Sequence, residues 1–231
     1  MFYPFFYDST YILVIFAFAL SLFASFGVKA TFSKYSKVNA HNGLTGSGAA
    51  RRILDMNGLH HVRIEHISGD LTDHFDPKAN VIRLSDAVHD SDSVAAIGVA
   101  AHEAGHAVQY ATNYAPIKVR NSIVPIVNIS TTLSMPLFIL GLILEASGLA
   151  LLGIILFSAS LLFQLITLPV EFNASRRAIK ILDSGNLLYD NEVKGAKKVL
   201  SAAAMTYVAA AAASALQVLR LLLIFNGRRR D

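Results

Sequence analysis

The sequence predicts a mainly α-helical membrane protein, with three to four transmembrane helices and one small α+β domain at the membrane surface. The chain of 231 residues is 54% hydrophobic and contains no cysteine. Four segments lack formal charge for long enough to cross a bilayer, which takes about 20 residues. Between the first and the second of these segments lie the more polar residues 29–120, whose patterns predict both helix and strand.

The first three apolar segments predict an anchor followed by a helical hairpin. Residues 9–28 predict a retained transmembrane anchor, because no positive charge precedes them and no persuasive cleavage site follows. Residues 121–170 contain two further spans, separated only by Glu145 and the Ser147-Gly148 turn signal. They therefore predict a transmembrane hairpin, in which neighbouring helices would tolerate Pro125 and Pro136.

The fourth apolar segment, residues 199–225, is weaker. It contains the alanine run 209–213, and Arg220 interrupts its apolar stretch. A fourth transmembrane helix and a buried or interfacial helix are both open interpretations. Before this segment, the basic residues 171–198 predict a separate helix that follows the hairpin.

The polar segment 29–120 contains the elements of a small α+β domain. Residues 45–57 predict a helix with Gly58 at its C-terminal cap, while residues 62–67 and 80–84 predict strands. Asp76-Pro77 predicts a turn, and His74 beside it is expected to lie in a surface loop. The strand at 80–84 is open to two interpretations, a sheet edge on which an extended substrate adds a strand and an ordinary structural strand.

The sequence His102-Glu103-Ala104-Gly105-His106 indicates a metal site. It lies within residues 94–111, which contain no proline and follow the N-cap candidates at 91–93. Residues four apart lie on one helix face, so the two imidazoles can bind one metal ion while Glu103 takes a proton from a bound water. Without cysteine, a zinc site must use histidine and carboxylate. A buried helix of small residues, with the histidines as core polar groups, is the alternative.

A third ligand must come from elsewhere in the chain. Glu171 is the first candidate, because it ends the third apolar segment and an even number of crossings separates it from His106. The alternative is an interfacial glutamate paired with Arg176 or Arg177. Asp183 is a rival ligand, since Leu182-Asp183-Ser184-Gly185 is similar to the Leu-Asp-Gly of site-2 proteases, although Ser184 interrupts the match.

The chain resembles the YugP-type family of neutral zinc metallopeptidases of bacterial membranes. The resemblance covers nearly the whole chain and is strongest at residues 101–109, 73–77, 81–85 and 42–46. More distantly, the chain is similar to the prenyl-protein and heat-shock membrane proteases. Those pair His-Glu-x-x-His with a later Glu-x-x-x-Asp, in which the Glu binds zinc. Here the Glu position is Glu171, and Ser175 stands at the Asp position.

These observations predict a membrane-bound, gluzincin-like zinc endopeptidase. Zn²⁺ would be held by His102, His106 and Glu171, with Glu103 as the general base. Residues 29–120 would form the zincin-like catalytic domain, and the expected substrates are membrane proteins or their juxtamembrane segments. A zinc-stabilised scaffold or chaperone, or a zinc amidohydrolase acting on a lipid, is the alternative. The candidate oxyanion stabilisers are Tyr110, Tyr114, Arg176 and Arg177.

The distribution of charged residues indicates that the partner is the lipid bilayer, and it predicts which segments lie on each side of it. The net charge of +4 is too small and too scattered to favour nucleic acid. Positive charge favours the cytoplasmic side, which predicts an outside N-terminus, residues 29–120 and 176–198 inside, and Glu145 outside. The active site would then face the cytoplasm at a bacterial plasma membrane. The basic tail, residues 228–231, obeys the rule only if the fourth segment does not span. Oligomeric state is not indicated.

Overall fold

The computed structural model describes residues 9–228 and confirms a mainly α-helical membrane protein with a small α+β domain. In that part of the chain, four helices are long and apolar enough to cross a membrane. They are α1, α4, α5 and α6. The elements in chain order are α1 (Tyr11–Tyr35), α2 (Gly46–Met56), β1 (Arg63–Ile67), β2 (His74–Asp76), β3 (Val81–Ser85), α3 (Val94–Ala111), α4 (Ala115–Ile143), α5 (Ser147–Ser184) and α6 (Asp190–Arg228).

The chain forms two compact units, and both draw on the long helices. The apolar unit comprises the residues up to 24, residues 119–168 and the residues from 206 on. The α/β unit comprises Ser25–Lys118 and Pro169–Met205. Each unit is described by itself below.

In the apolar unit, α4 and α5 form a tightly packed hairpin. The turn between them places Glu145 in the left-handed region, at φ 56°. A Cβ added at Gly153 would lie 2.6 Å from the Phe138 nitrogen, and one at Gly141 would clash with the Ala150 backbone. Small residues therefore let the two backbones approach closely, as is common between membrane helices. Helix α4 continues through both of its prolines.

The fourth apolar segment lies within the single helix α6, which runs through both the alanine run and Arg220. In the apolar unit, the Arg220 guanidinium lies 4.5 Å from the centre of the Tyr11 ring. Leu221 and Phe225 pack in a cluster with Phe138 of α4. Residues 229–231 of the predicted basic tail lie outside the described residues.

In the α/β unit, side-chain caps begin the two shorter helices. The Thr45 hydroxyl accepts from Gly48 N at the start of α2, and Gly58 after its end takes the left-handed φ of 72°. The Ser93 hydroxyl accepts from Ala96 N at 3.2 Å and so begins α3. These caps set the observed helix starts one residue after a Ser or Thr.

The sheet has the order β1-β3-β2, so β3 is its central strand. β1 pairs with β3 in parallel and β2 pairs with it antiparallel, with Phe75 opposite Ile82. The prediction that residues 80–84 form a sheet edge is therefore wrong, and the edges are β1 and β2. His74 lies in β2 and not in a loop. The reason is the tight turn at Asp76, whose Oδ1 accepts from Lys78 N and Ala79 N and returns the chain alongside β3.

The predicted separate helix at 171–198 is wrong. Helix α5 continues from the apolar segment through Pro169 to Ser184, and α6 begins at Asp190. Proline at 169 removes one hydrogen bond without ending the helix. The interruption occurs later, where Asn186 takes a left-handed φ of 50°. As a result, Glu171 and Ser175 lie on one rigid helix, one turn apart.

Two glycines on α3 contact neighbouring helices at very different distances. A Cβ added at Gly105 would lie 2.7 Å from the Ala174 carbonyl oxygen of α5. A Cβ added at Gly98 would lie 3.4 Å from the Ala196 Cβ of α6, an ordinary van der Waals contact. Gly105 is therefore required for the close approach of α3 and α5, whereas Gly98 is not required for its contact.

We predict that Gly105→Ala destabilises the α/β unit by about 1–3 kcal/mol, because the added methyl group overpacks a backbone contact. Gly98→Ala is the matched control. It should leave stability unchanged or raise it by up to about 1 kcal/mol, because alanine is the better helix former. Thermal denaturation of both variants in detergent measures the difference. Equal melting temperatures for the two variants would contradict the assigned contact.

Candidate metal centre

Helix α3 presents two imidazole rings on one face. His102 and His106 are one turn apart, and their ring centres lie 4.7 Å from each other at an interplanar angle of 82°. The small residues around them are buried, so the helix lies inside the α/β unit. The edge-to-face arrangement allows the two Nε2 atoms to point at one place.

A carboxylate oxygen from α5 lies close to both of these nitrogen atoms. Glu171 Oε2 lies 3.3 Å from His102 Nε2 and 3.6 Å from His106 Nε2. The Glu171 residue is only 2% exposed. Among the described residues, its Oε2 has no hydrogen-bond partner. One ligand atom from each of the three residues lies within 4.8 Å of the others, which is the separation that a shared metal ion requires.

These residues fit zinc by their chemistry. Two histidines and one glutamate form a donor set found in catalytic zinc sites, which keep a fourth position for water. A buried carboxylate oxygen without a donor is costly unless a cation compensates it. Burial lowers the pKa of His106, but the Glu171 and Glu103 carboxylates beside it outweigh burial, so its pKa is raised. The site therefore attracts a cation, and a metal binds in competition with the proton.

Gln109 fixes the orientation and the tautomer of His106. The Gln109 amide group donates to the Val170 carbonyl at 2.8 Å and to Asn173 Oδ1 at 3.0 Å, both on α5. Its Oε1 is therefore the acceptor in the 3.0 Å contact with His106 Nδ1. His106 must carry its proton on Nδ1, which leaves the Nε2 lone pair for a metal.

Ser175 plays the corresponding part at His102. Its hydroxyl lies 3.1 Å from His102 Nδ1. Because α5 is continuous, the same helix supplies Glu171 to one nitrogen of the ring and Ser175 to the other. The orienting group at this position is thus a neutral hydroxyl instead of a carboxylate.

Glu103 faces the edge strand of the sheet. Its Oε2 accepts a 2.9 Å hydrogen bond from the backbone nitrogen of Phe75, in β2. Burial raises the pKa of the Glu103 carboxyl group. The Phe75 ring packs edge-on against Tyr110 at 5.5 Å between ring centres. β2 is therefore the strand that borders the candidate catalytic carboxylate.

The remaining candidate site residues are either exposed or engaged in contacts that stabilise the helices. Asp183 is exposed and is not part of the ligand group. Arg176 is exposed, while Arg177 donates to Asn173 Oδ1 and lies 6.0 Å from the centre of the Tyr114 ring. The Tyr114 hydroxyl donates to the Pro169 carbonyl at 3.4 Å. These contacts support the helix carrying Glu171.

Sequence reasoning missed two features. Gln109 stands three residues after His106, a spacing that places it beside the ring and could have indicated its part. A second group of possible ligands, His66, His89 and Asp90, gave no spacing signal because the sheet brings it together. Its two rings stack at 4.8 Å and 16°, and His66 and Asp90 are exposed.

Comparison with known proteins identifies the family. The model of the family described as "Putative neutral zinc metallopeptidase" matches residues 10–226. The chain belongs to this family. Zinc is accordingly its cofactor. The chain is also 52% identical, over 217 residues, to "Putative membrane protease YugP" of Bacillus subtilis (strain 168), an alignment that covers 94% of this chain and 96% of that protein. No solved structure matches the chain. With its four long apolar helices, this member is an integral membrane protein.

We predict that Glu171→Gln lowers zinc affinity at least about 10-fold, because an amide oxygen is neutral and the site loses its only anionic ligand. Asp183→Asn is the matched control, since it removes the same charge from the same helix. Zinc content of the purified proteins, measured after dialysis against graded chelator, compares the two. If Asp183→Asn lost the metal and Glu171→Gln kept it, the assignment of the third ligand would be wrong.

We also predict that Gln109→Leu weakens zinc binding about 10–100-fold, although Gln109 does not touch the metal position. The change leaves the His106 Nδ1 proton and the Val170 carbonyl without their partner. Gln164→Leu in the apolar unit makes the same chemical change elsewhere and should keep full zinc content. Unchanged zinc affinity in Gln109→Leu would show that the hydrogen bond does not orient His106.

Proposed function

We propose that this protein is a zinc-dependent integral-membrane endopeptidase that hydrolyses peptide bonds in membrane or juxtamembrane protein segments. The observation that carries the proposal is the convergence of His102 Nε2, His106 Nε2 and Glu171 Oε2 beside the buried Glu103. Membership of a zinc metallopeptidase family supports the same reading.

The residues divide the chemistry between them. When bound by His102, His106 and Glu171, zinc supplies a Lewis acid that makes water acidic enough to lose a proton near neutral pH. Glu103 accepts that proton as water attacks the peptide carbonyl, and then delivers it to the leaving amine. The Phe75 N–H holds Oε2 of Glu103 in place, which leaves Oε1 for the proton transfer. Burial raises the pKa of Glu103, which favours its taking up a proton.

The proposed substrate class follows from helix α5. The charge-free stretch of this helix ends at Val170, and the proposed ligand Glu171 follows it directly in the same unbroken helix. A metal held there is best placed for peptide bonds near the membrane boundary.

We predict that Glu103→Gln abolishes cleavage, with a loss of about 10²–10⁴-fold, while zinc content stays near that of the wild type. Glutamine has the same shape and keeps the Phe75 hydrogen bond but cannot take a proton. Gln109→Asn serves as a comparison, because it perturbs the ligand orientation instead of the base. Cleavage of a membrane proteome in nanodiscs, read by mass spectrometry, measures the effect. If wild type and Glu103→Gln both bind zinc and neither yields new peptides, the proposal is contradicted.

The substrate class has its own comparison within the same assay. A peptide tethered to the nanodisc by a transmembrane segment should be cut faster than casein at equal concentration. The wild type supplies both rates, so protein quality cannot explain a difference. Equal rates for both substrates would leave the peptidase proposal intact and overturn the membrane-segment preference.

We further propose that the site faces the cytoplasm. The residues after the first apolar stretch carry Lys29, Lys34 and Lys37, whereas the α4–α5 turn carries only Glu145. Because the chain has no cysteine, single substitutions report the sidedness directly. A membrane-impermeant maleimide should label Ser147→Cys in intact cells, and Lys37→Cys only after the membrane is disrupted. The opposite pattern would place the site outside.

A further inference from the structure

A basic cavity lies in the α/β unit between the end of α1 and the first turns of α6. Its volume is about 610 Å³. Helix α1 contributes Thr31, Lys34 and Tyr35 to its lining. Helix α6 contributes Ser201 and three lysines, at positions 194, 197 and 198. Four of the seven lining residues are therefore lysines, and none is acidic.

No ion pair among the described residues compensates the positive charge of this cavity. Within residues 9–228, the ion pairs involve arginine and histidine, and none involves these four lysines. Lys194 lies four residues from Lys198, so their like charges repel on one helix face. Such an arrangement costs stability unless an anion enters the cavity, where each ammonium group offers three donors.

The two helices pack closely beside the cavity. A Cβ added at Gly195 would lie 2.8 Å from the Tyr35 ring. The absence of a side chain at position 195 thus lets the Tyr35 ring lie against α6. The Lys34 ammonium group lies 5.7 Å from the centre of the same ring. The ring therefore positions one of the four charges at the cavity.

The cavity lies next to apolar stretches along both helices. On α1, the charge-free stretch ends at Val28, one turn before Thr31. On α6, it begins at Val199, immediately after Lys198. Lysines at this place in a membrane helix lie at the level of lipid headgroups, and basic pockets between such helices bind anionic headgroups. We propose that this cavity binds the phosphate group of an anionic membrane lipid, with the four lysines as its donors.

Bound lipid would stabilise the part of α6 that packs against the metal-binding helix α3. Gly195 contacts Val94 at the start of α3, where an added Cβ would lie 3.0 Å from Val94 Cγ1. Its neighbour Ala196 packs against Gly98 of the same helix. An anion that binds the lysines of α6 therefore stabilises the contact between α6 and the first turns of α3. Lipid binding should raise the melting temperature even when the metal has been removed.

The test compares two charge-matched quadruple variants. The cavity variant changes Lys34, Lys194, Lys197 and Lys198 to Gln. The control variant changes four exposed lysines outside the cavity to Gln, and these are Lys37, Lys78, Lys118 and Lys180. All eight lysines are exposed, so neither variant is expected to misfold. Circular dichroism of both variants checks this expectation.

The probes are short-chain phosphatidylglycerol, short-chain phosphatidylcholine and inorganic phosphate, each titrated into detergent-solubilised full-length protein. Wild type should bind phosphatidylglycerol saturably and more tightly than phosphatidylcholine. Binding by the cavity variant should be weaker by about 100-fold or more, at roughly fivefold per lysine, and a matching Lys→Arg variant should keep it. The control variant should lose no more than about fivefold.

Three results would overturn the proposal. One is equal phosphatidylglycerol binding by wild type and the cavity variant. Another is an equal loss in the cavity and control variants, which would reduce the effect to net charge. The third is inorganic phosphate binding as tightly as phosphatidylglycerol, which would make the ligand a free anion instead of a lipid.

Discussion

A buried carboxylate facing two imidazole nitrogens is the constraint on which the α/β unit depends. Glu171 Oε2 receives no hydrogen bond from the described residues, and a charge in that position needs a cation. The helix packing serves the same arrangement, because Gly105 lets α3 approach α5 at Ala174, between Glu171 and Ser175. This one helix–helix contact therefore sets the distance between Glu171 and the two histidines of α3.

Orientation in this site comes from neutral groups. The His106 ring is held by Gln109, whose amide is itself fixed by two acceptors on α5. The His102 ring is held by the Ser175 hydroxyl. Neutral partners orient the rings without adding negative charge, so the two carboxylates, Glu171 and Glu103, are left to the proposed tasks of binding the metal and moving a proton.

The sequence predicted the motif helix, the long apolar helices and two of the three strands, but not the strand β2 or the order of the sheet. The motif helix was predictable because Ser93 caps it and residues 94–111 contain no proline, and the charge-free stretches marked the long helices. Local signals failed where tertiary pairing decides. β2 has three residues beside an Asp-Pro turn signal, and the pairing with β3 alone makes it a strand. Likewise, Pro169 gave no local signal that α5 continues beyond it. The helix nevertheless extends through Pro169, and Glu171 lies on this extension.

For the site, spacing predicted the α3 residues, and the place of Glu171 at the end of an apolar segment indicated the third ligand, which the resemblance to known proteases also indicated. The part of Gln109 depends on acceptors 61 and 64 residues away, which no local pattern contains. Helix geometry placed Gln109 beside His106, but only the packing against α5 makes it the residue that selects the tautomer.

The central claim is that His102, His106 and Glu171 hold the zinc ion, and X-ray absorption at the zinc edge tests it most directly. We expect scattering from two imidazoles and from oxygen ligands, with Zn–N distances of about 2.0–2.1 Å. Glu171→Gln should change the oxygen shell and leave both imidazole contributions in place. A spectrum with three imidazoles, or one that Glu171→Gln leaves unchanged, would contradict the account.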